Sequence, residues 1–235
     1  KHAVQAVVLA GKRKIYRLLL TAQNKEFASK ISHELDSLGI KIETVNKDYL
    51  ATLFGKDTVH QGCAAQVEAP KQIFLEDLED DDRPIVFLDQ VEDPQNIGSI
   101  TRAAAVFGAK AIVLPEAHSP KITSVITKVA SGAAEIIPII KVPNIVQAMK
   151  MLKEDYGYWS IGLDERGDKE IQNIDISGKF VLVIGSEGAG MRRLTRENCD
   201  FLAKIPSWSG FSTLNAAQAA TVSLYEILRQ KRSSK

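Results

Sequence analysis

The sequence predicts an α/β fold whose larger part is a parallel sheet covered by helices on both faces. From residue 85 onwards, short apolar runs alternate with segments of helical periodicity, which is typical of β–α–β units that build a parallel sheet. The apolar runs are 85–88, 111–114, 136–139, 158–163, 180–184 and 201–205. Helices are expected at about 97–107, 122–130, 145–155, 192–198 and 214–231.

The first 70 residues predict a smaller, separate α/β unit. Strands are expected at 15–20, 40–45 and 63–67, and a short helix at 47–53. Apolar residues recur at helical spacing between Phe27 and Leu38. They predict an amphipathic helix over 25–38 that ends at Gly39.

Residues 71–82 are predicted to be an acidic linker. Lys71 is the one basic residue of this segment, whose six acids are Glu76, Asp77, Glu79, Asp80, Asp81 and Asp82. Low hydrophobicity with dense charge is typical of a solvated spacer. The expected division is therefore a domain at 1–70, a linker at 71–82 and a domain at 83–235. The linker has one basic and six acidic residues, a net charge of −5, whereas the whole chain has +1. The two domains are therefore mildly basic, which is compatible with a nucleic-acid partner.

Composition points to a cytoplasmic protein without membrane or metal. No apolar run reaches the roughly 18 residues that a membrane helix needs, and the first residues lack a signal-peptide pattern. The sequence begins at Lys1 rather than Met, so it leaves open what precedes it. Cys63 and Cys199 lack the spacing of a metal site and indicate a reducing compartment.

The strand at 180–184 ends in a glycine turn, Gly185-Ser186-Glu187-Gly188-Ala189-Gly190. Such a turn before a helix is typical of a ligand-binding edge, because glycines let a ligand approach the main chain. The spacing does not match the dinucleotide fingerprint, and Ile205 and Pro206 stand where a ribose-binding acid is expected. A nicotinamide-dependent oxidoreductase is thus a disfavoured alternative. S-adenosylmethionine suits backbone carbonyls and an apolar slot, although the turn alone does not select it.

Two further segments carry candidate functional residues. After the strand at 85–88, an acidic turn leads into a helix whose start is marked by Asn96 and Gly98 and whose next turns carry Arg102. After the strand at 201–205, a Ser/Gly-rich loop leads to Asn215 and an Ala-rich helix.

Taken together, these segments resemble the SpoU (TrmH-like) branch of the SPOUT RNA 2′-O-ribose methyltransferases. The matching motifs are Asn96-x-Gly98-x-x-x-Arg102, then Gly185-Ser186-Glu187-Gly188-x-Gly190-Met191, then Ile205-Pro206 followed by Leu214-Asn215. The resemblance covers essentially the whole chain, since residues 1–70, with His60-Gln61-Gly62, resemble the RNA-recruiting domain of that family. Residues 191–197 are most similar to the bacterial subgroup that methylates a guanosine of 23S rRNA. Thr213 and the Trp208/Phe211 loop depart from the usual family pattern, which leaves the substrate side of the pocket open.

The resemblance implies a C-terminal domain with a deep trefoil knot, S-adenosylmethionine as methyl donor, and a homodimer. General topology rules argue against knots, so that expectation depends on the resemblance alone. The implied donor-binding residues are Leu163, Gly185, Ile205 and Leu214. The implied catalytic residues are Arg102, Asn96, Glu187 and Asn215. The candidate RNA-binding residues are Lys12, Arg13, Arg192 and Arg193.

The implied reaction is an in-line attack of a ribose 2′-hydroxyl on the sulfonium methyl. A guanidinium does not lose its proton in a protein, so Arg102 is expected to hold a substrate phosphate and polarise the hydroxyl, while Asn96, Glu187 and Asn215 position the reacting group. Ribosomal RNA is the expected substrate, with transfer RNA as an alternative. A non-catalytic RNA-binding protein of ribosome assembly is the competing hypothesis from another class.

Overall fold

The chain forms two compact units, which are described separately. The computed structural model describes residues 1–55, 58–117, 126, 129–208 and 214–233. The N-terminal unit comprises Lys1–Lys71 and Ser131–Ile136, and the C-terminal unit comprises Gln72–Ala130 and Ile137–Lys235. Across the described residues, no helix combines the length and the apolar character needed to cross a bilayer.

The N-terminal unit is built around a three-stranded sheet. Its elements are α1 (His2–Ala10), β1 (Ile15–Thr21), α2 (Lys25–Lys30), α3 (Ser32–Ser37), β2 (Ile42–Val45), α4 (Lys47–Phe54) and β3 (Cys63–Val67). Strand β1 lies in the centre, parallel to β2 and antiparallel to β3. Leu18 and Leu20 pack with apolar residues of α1, α2 and α3, whereas Leu19 packs with Leu50 of α4. Alternation along β1 thus buries both faces of the strand.

Two features of this unit differ from the sequence prediction. The single helix expected over 25–38 is wrong, because Ile31 (φ −120°, ψ 10°) separates α2 from α3. Ile31 is fully buried, so the break lets the chain pack this side chain into the core. Helix α1 was not predicted, because its residues are apolar almost all round, so the helical spacing of the buried Val4, Val7 and Val8 does not stand out in the sequence.

The C-terminal unit carries the larger sheet. Its elements are β4 (Ile85–Asp89), α5 (Pro94–Val106), β5 (Ala111–Pro115), β6 (Ile139–Val142), α6 (Ile145–Tyr156), β7 (Trp159–Leu163), β8 (Lys169–Glu170), β9 (Phe180–Gly185), α7 (Arg193–Glu197), β10 (Phe201–Lys204) and α8 (Ala216–Ser233). The strand order is β6-β5-β4-β9-β7-β10-β8, and every pairing is parallel. The predicted parallel α/β sheet is therefore confirmed, and the carboxyl ends of its strands meet at one edge.

Helices cover both faces of this sheet, as the apolar runs predict. On β4, Val86 and Leu88 belong to a core cluster shared with α5 and α8, while Ile85 and Phe87 belong to a cluster shared with α6. A strand that is buried on both faces has no polar alternation. This explains the uninterrupted apolar runs in the sequence.

One strand lies three residues later than predicted, and one helix cannot be compared. The strand expected at 136–139 is β6, Ile139–Val142. Pro138 has no N–H to join a ladder, so pairing begins after it, and Ile136 is exposed. The helix expected at 122–130 lies largely outside the described residues.

The acidic segment expected to be a solvated linker packs on the C-terminal unit instead. Leu75 is buried, and residues 75–77 form a 3₁₀ turn. Three successive acids of the segment bind lysines of the C-terminal unit: Asp80 pairs with Lys179, Asp81 with Lys110, and Asp82 with Lys231. Only 3% of the Lys110 side chain is exposed, so its ammonium is largely satisfied by this segment. Ion pairs with these lysines hold the acidic segment in place, and amino-acid composition alone does not predict them.

The expected knot depends on the path between β10 and α8. Part of that connection, residues 209–213, lies outside the described residues. The knot therefore stays a prediction.

Candidate active site

A cavity of about 720 Å³ lies in the C-terminal unit at the carboxyl ends of β7, β9 and β10 and beside the start of α8. Leu163, Gly185, Ile205 and Leu214 all line it, although they come from distant parts of the chain. The volume falls within the range of small-molecule sites, roughly 300–1,000 Å³. The structure thus brings the four predicted donor-binding residues together. Their role in binding the donor stays a prediction.

The glycine turn after β9 forms one wall of the cavity and folds back on itself. The Ser186 and Gly190 amides each donate to the carbonyl of the other residue, at 3.1 and 3.0 Å. A Cβ at Gly185 would lie 2.2 Å from the Gly190 carbonyl carbon, so no side chain fits there. Gly188 and Gly190 have left-handed φ values of 79° and 71°. The wall therefore requires glycine both for space and for backbone conformation.

A buried ion pair fixes the exit of this turn. Asp89, the last residue of β4, is fully buried and lies opposite Gly185 in the sheet. Its carboxylate accepts from the Arg192 backbone N–H at 2.8 Å and from Arg192 Nε at 2.7 Å. Asp89 was not among the predicted site residues, although a carboxylate directly after an apolar strand is a recognisable signal. Arg192 was predicted to bind RNA, and here part of its guanidinium serves to hold the fold.

Two of the predicted catalytic residues are in direct contact. Asn96 Nδ2 donates to Glu187 Oε1 at 3.0 Å. This bond joins the first turn of α5 to the glycine turn, so two segments that are 91 residues apart meet above the sheet edge. Asn96 does not cap the helix as its position suggested. Asp93 is the N-cap and accepts from the Gln95 backbone N–H at 2.9 Å, which leaves the Asn96 amide available.

Asn215 and Arg102 are placed differently. Asn215 lines the cavity and also caps α8, where its Oδ1 accepts from the Gln218 backbone N–H at 2.8 Å. Arg102 does not line the cavity within this chain. It lies six residues after Asn96 on α5, which is about 9 Å along the axis and about 120° around the helix. Its side chain is exposed. The catalytic role of both residues stays a prediction.

The cavity lining combines apolar walls with an excess of acid. The lining contains four acidic residues, Asp164, Glu165, Glu170 and Glu187, and two basic residues, Arg166 and Lys204. Asp164 also pairs with Arg196 at 3.0 Å. Burial alone would raise the pKa of Asp164, but hydrogen bonds from Arg166 lower it overall, so the carboxylate is charged at neutral pH.

These residues fit S-adenosylmethionine as a ligand. The donor carries a cationic sulfonium, which an acid-rich lining favours. Its adenine needs an apolar slot, which Leu163, Ile205 and Leu214 can supply, and the glycine turn exposes backbone for hydrogen bonds. No group of three or more side chains suited to hold a metal ion is found among the described residues.

The candidate RNA-binding residues differ in whether their charged groups already bind other residues of the chain. Arg13 forms an ion pair with Glu135 and donates to the Glu68 carbonyl at 3.0 Å, so its guanidinium is already engaged. Lys12 is exposed. In the C-terminal unit, Arg193 is exposed and pairs with Glu197 one turn later on α7. RNA contact by these residues stays a prediction.

Comparison with known families accounts for both units. The model of the family described as "SpoU rRNA Methylase family" matches residues 83–225. A second, described as "RNA 2'-O ribose methyltransferase substrate binding", matches residues 1–73. The gap between the two matches, 74–82, coincides with most of the acidic segment.

Individual relatives match along almost their whole length. A Haemophilus influenzae protein named 23S rRNA (guanosine-2'-O-)-methyltransferase RlmB is 36% identical over 239 residues, which cover 99% of this chain and 97% of the relative. The Escherichia coli K12 protein of the same name is 35% identical, with 98% and 96% covered. The crystal structure of the SpoU methyltransferase AviRb from Streptomyces viridochromogenes in complex with AdoMet superposes with a TM-score of 0.82 at 29% identity, covering 98% of this chain and 89% of that one.

Proposed function

Because the chain belongs to the SpoU rRNA methylase family, we propose that it methylates the ribose 2′-hydroxyl of a guanosine in 23S rRNA with S-adenosylmethionine as donor. The observation that carries this proposal is the convergence of Leu163, Gly185, Ile205 and Leu214 on one cavity beside the Asn96–Glu187 pair. The relatives named for this reaction match the chain over 98–99% of its length, so both units are accounted for.

In this proposal the cavity holds the donor through its walls rather than through one dominant charge. Leu163, Ile205 and Leu214 enclose the adenine, and the backbone of the Gly185 turn provides hydrogen bonds. When bound, S-adenosylmethionine supplies an electrophilic methyl group on a sulfonium centre. The acid-rich lining favours this cationic group.

The chain's polar residues then prepare the ribose hydroxyl. The Asn96 amide and the Glu187 carboxylate orient each other through their 3.0 Å hydrogen bond. Asn215 also lines the cavity and is held as the cap of α8. Arg102 holds a substrate phosphate and polarises the hydroxyl, and because its guanidinium keeps its proton, the hydroxyl proton leaves to a neighbouring group or to water.

A homodimer would bring Arg102 to a donor cavity. Arg102 is outside the cavity of its own chain, and Val106, one turn later on the same face of α5, is 68% exposed. Tyr225 of α8 is also exposed and packs edge-on against Phe107. An exposed apolar patch beside an exposed arginine suits an interface between copies. We therefore propose that Arg102 acts in a homodimer.

The N-terminal unit recruits the RNA in this scheme. It matches the substrate-binding family over 1–73, and Lys12 is exposed for phosphate contact. We place the reaction in the cytoplasm, since Cys63 and Cys199 are both free thiols, as expected in a reducing compartment.

The test is methyl transfer from labelled S-adenosylmethionine to unmodified 23S rRNA and, in parallel, to unmodified transfer RNA. After digestion to nucleosides, the label should appear as 2′-O-methylguanosine from 23S rRNA. Label in transfer RNA alone would reassign the substrate, and label on a base would refute ribose methylation. Binding of RNA without any transfer would favour a non-catalytic role in ribosome assembly.

A further inference from the structure

Trp208 stands out among the aromatic side chains because its indole is fully open to solvent. Its relative exposure is 102%, whereas the other tryptophan, Trp159, is 49% exposed. The Trp159 ring packs on Phe201 at 6.0 Å and is covered by Lys153 at 4.9 Å. Trp208 has no ring or cation partner of this kind in the part of the chain that the structure describes. Both faces of its ring are therefore available.

Trp208 also directly follows part of the cavity lining. The residues just before it, Pro206 and Ser207, line the cavity, and consecutive α-carbons are about 3.8 Å apart. On the proposed function, the accepting ribose must enter this cavity to meet the methyl group. Its own base, or the base of a neighbouring nucleotide, would then lie within reach of Trp208.

The charge of the cavity indicates which part of the RNA meets Trp208. The lining holds four acidic and two basic residues, and Asp164 is paired with Arg196, so the lining itself offers no surplus of positive charge to a phosphate. Trp208 is itself uncharged, so its contact with RNA would be made through the face of its ring. Unpaired bases stack on exposed aromatic rings, and every base offers a face for this. An indole with two free faces suits that contact.

We infer that Trp208 is a stacking platform for an unpaired base of the RNA substrate, at or next to the methylated nucleotide. The inference rests on the proposed function, since that function places the ribose in the cavity. It adds a substrate-binding residue in the loop that departs from the usual family pattern. It also predicts that the target nucleotide lies in an unpaired part of the RNA.

The two tryptophans of the chain allow a direct spectroscopic test. Trp159→Phe leaves Trp208 as the sole tryptophan, and Trp208→Phe leaves Trp159. Unmodified 23S rRNA, transcribed in vitro, should quench the emission of the Trp159→Phe protein and leave that of the Trp208→Phe protein nearly unchanged. Quenching confined to the Trp208→Phe protein, or equal in both, would overturn the inference.

Kinetics supply the second readout. Trp208→Ala should raise the KM for this RNA by about 5- to 100-fold, the fold-change expected for loss of one stacked base, while the donor Kd stays within about twofold. Trp208→Phe should restore most of the affinity for RNA that Trp208→Ala loses.

An unchanged KM would refute stacking. A weakened donor Kd would mean that Trp208 covers the donor, and a changed sedimentation coefficient would mean that it joins two copies. Absence of transfer by the unaltered protein would instead count against the proposed function, because the emission test does not need turnover.

Discussion

Replacing Arg192 with alanine should destabilise the C-terminal unit much more than the same change at its neighbour Arg193. Asp89 is 0% exposed and loses its charged partner in Arg192→Ala, which leaves a buried carboxylate with only the backbone N–H of residue 192 as its hydrogen-bond donor. Breaking a buried pair costs roughly 3–5 kcal/mol. Because the Arg192 side chain is 44% exposed, solvent screens part of the ion pair. We therefore expect the free energy of unfolding to fall by about 2–3 kcal/mol. The exposed Arg193–Glu197 pair is worth only about 0.3–0.5 kcal/mol.

Urea unfolding followed by tryptophan emission measures this difference. Both tryptophans, Trp159 and Trp208, belong to the C-terminal unit, so the signal reports that unit. Arg193→Ala is the matched control, since it removes the same side chain one residue later. Free energies of unfolding that agree within about 0.5 kcal/mol for the two variants would show that the Asp89 pair does not hold the glycine turn.

Three further results are expected. Arg102→Ala should lower turnover by at least tenfold with the donor Kd unchanged, and near-normal turnover would exclude its catalytic role. Gly62→Ala should unfold β3 locally, as read by hydrogen exchange, because a Cβ would lie 2.5 Å from Asn24 and Thr21; the control Gly11→Ala has open space and should cost only about 1 kcal/mol. Burial alone would raise the pKa of Asp81, but hydrogen bonds from Arg83 and Lys110 lower it from 3.8 to about 2. Since the folded pKa is the lower one, Asp81 stabilises the fold above pH 4 and this contribution is lost between pH 4 and 2. The urea midpoint of Asp81→Asn should fall less steeply in that window, and parallel curves would contradict this.

Most strands and helices of the C-terminal unit could be predicted because each has a local sequence pattern, whereas the two-residue strand β8 has no such pattern and was not predicted. A strand such as β9 is buried on both faces and is apolar throughout, and glycines mark the turn that follows. Failures occurred where distant residues decide the local structure. Ile31 breaks a regular helical pattern to reach the core, and the acidic segment is docked by lysines such as Lys110 that lie far along the chain.

In the candidate site too, local patterns could be predicted and contacts between distant residues could not. Asn96 and Glu187 were found through motifs, but their mutual hydrogen bond joins residues 91 positions apart and has no signature in either segment. The ion pair between Asp89 and Arg192 was not predicted, and Arg192 was predicted to bind RNA instead. The pair forms because β4 and β9 are neighbours in the sheet. Sequence periodicity does not determine which strands become neighbours.

Filling the cavity tests most directly whether it binds the methyl donor. Ala219 lies on α8 and lines the cavity, whereas Thr221 is exposed on the same helix and does not. Calorimetric titration with S-adenosylmethionine should show one site per chain in the unaltered protein and in Thr221→Phe. In Ala219→Phe, binding should be lost while the unfolding transition stays cooperative. Unchanged donor affinity in Ala219→Phe, or binding of NAD in place of S-adenosylmethionine, would contradict the assignment of this cavity.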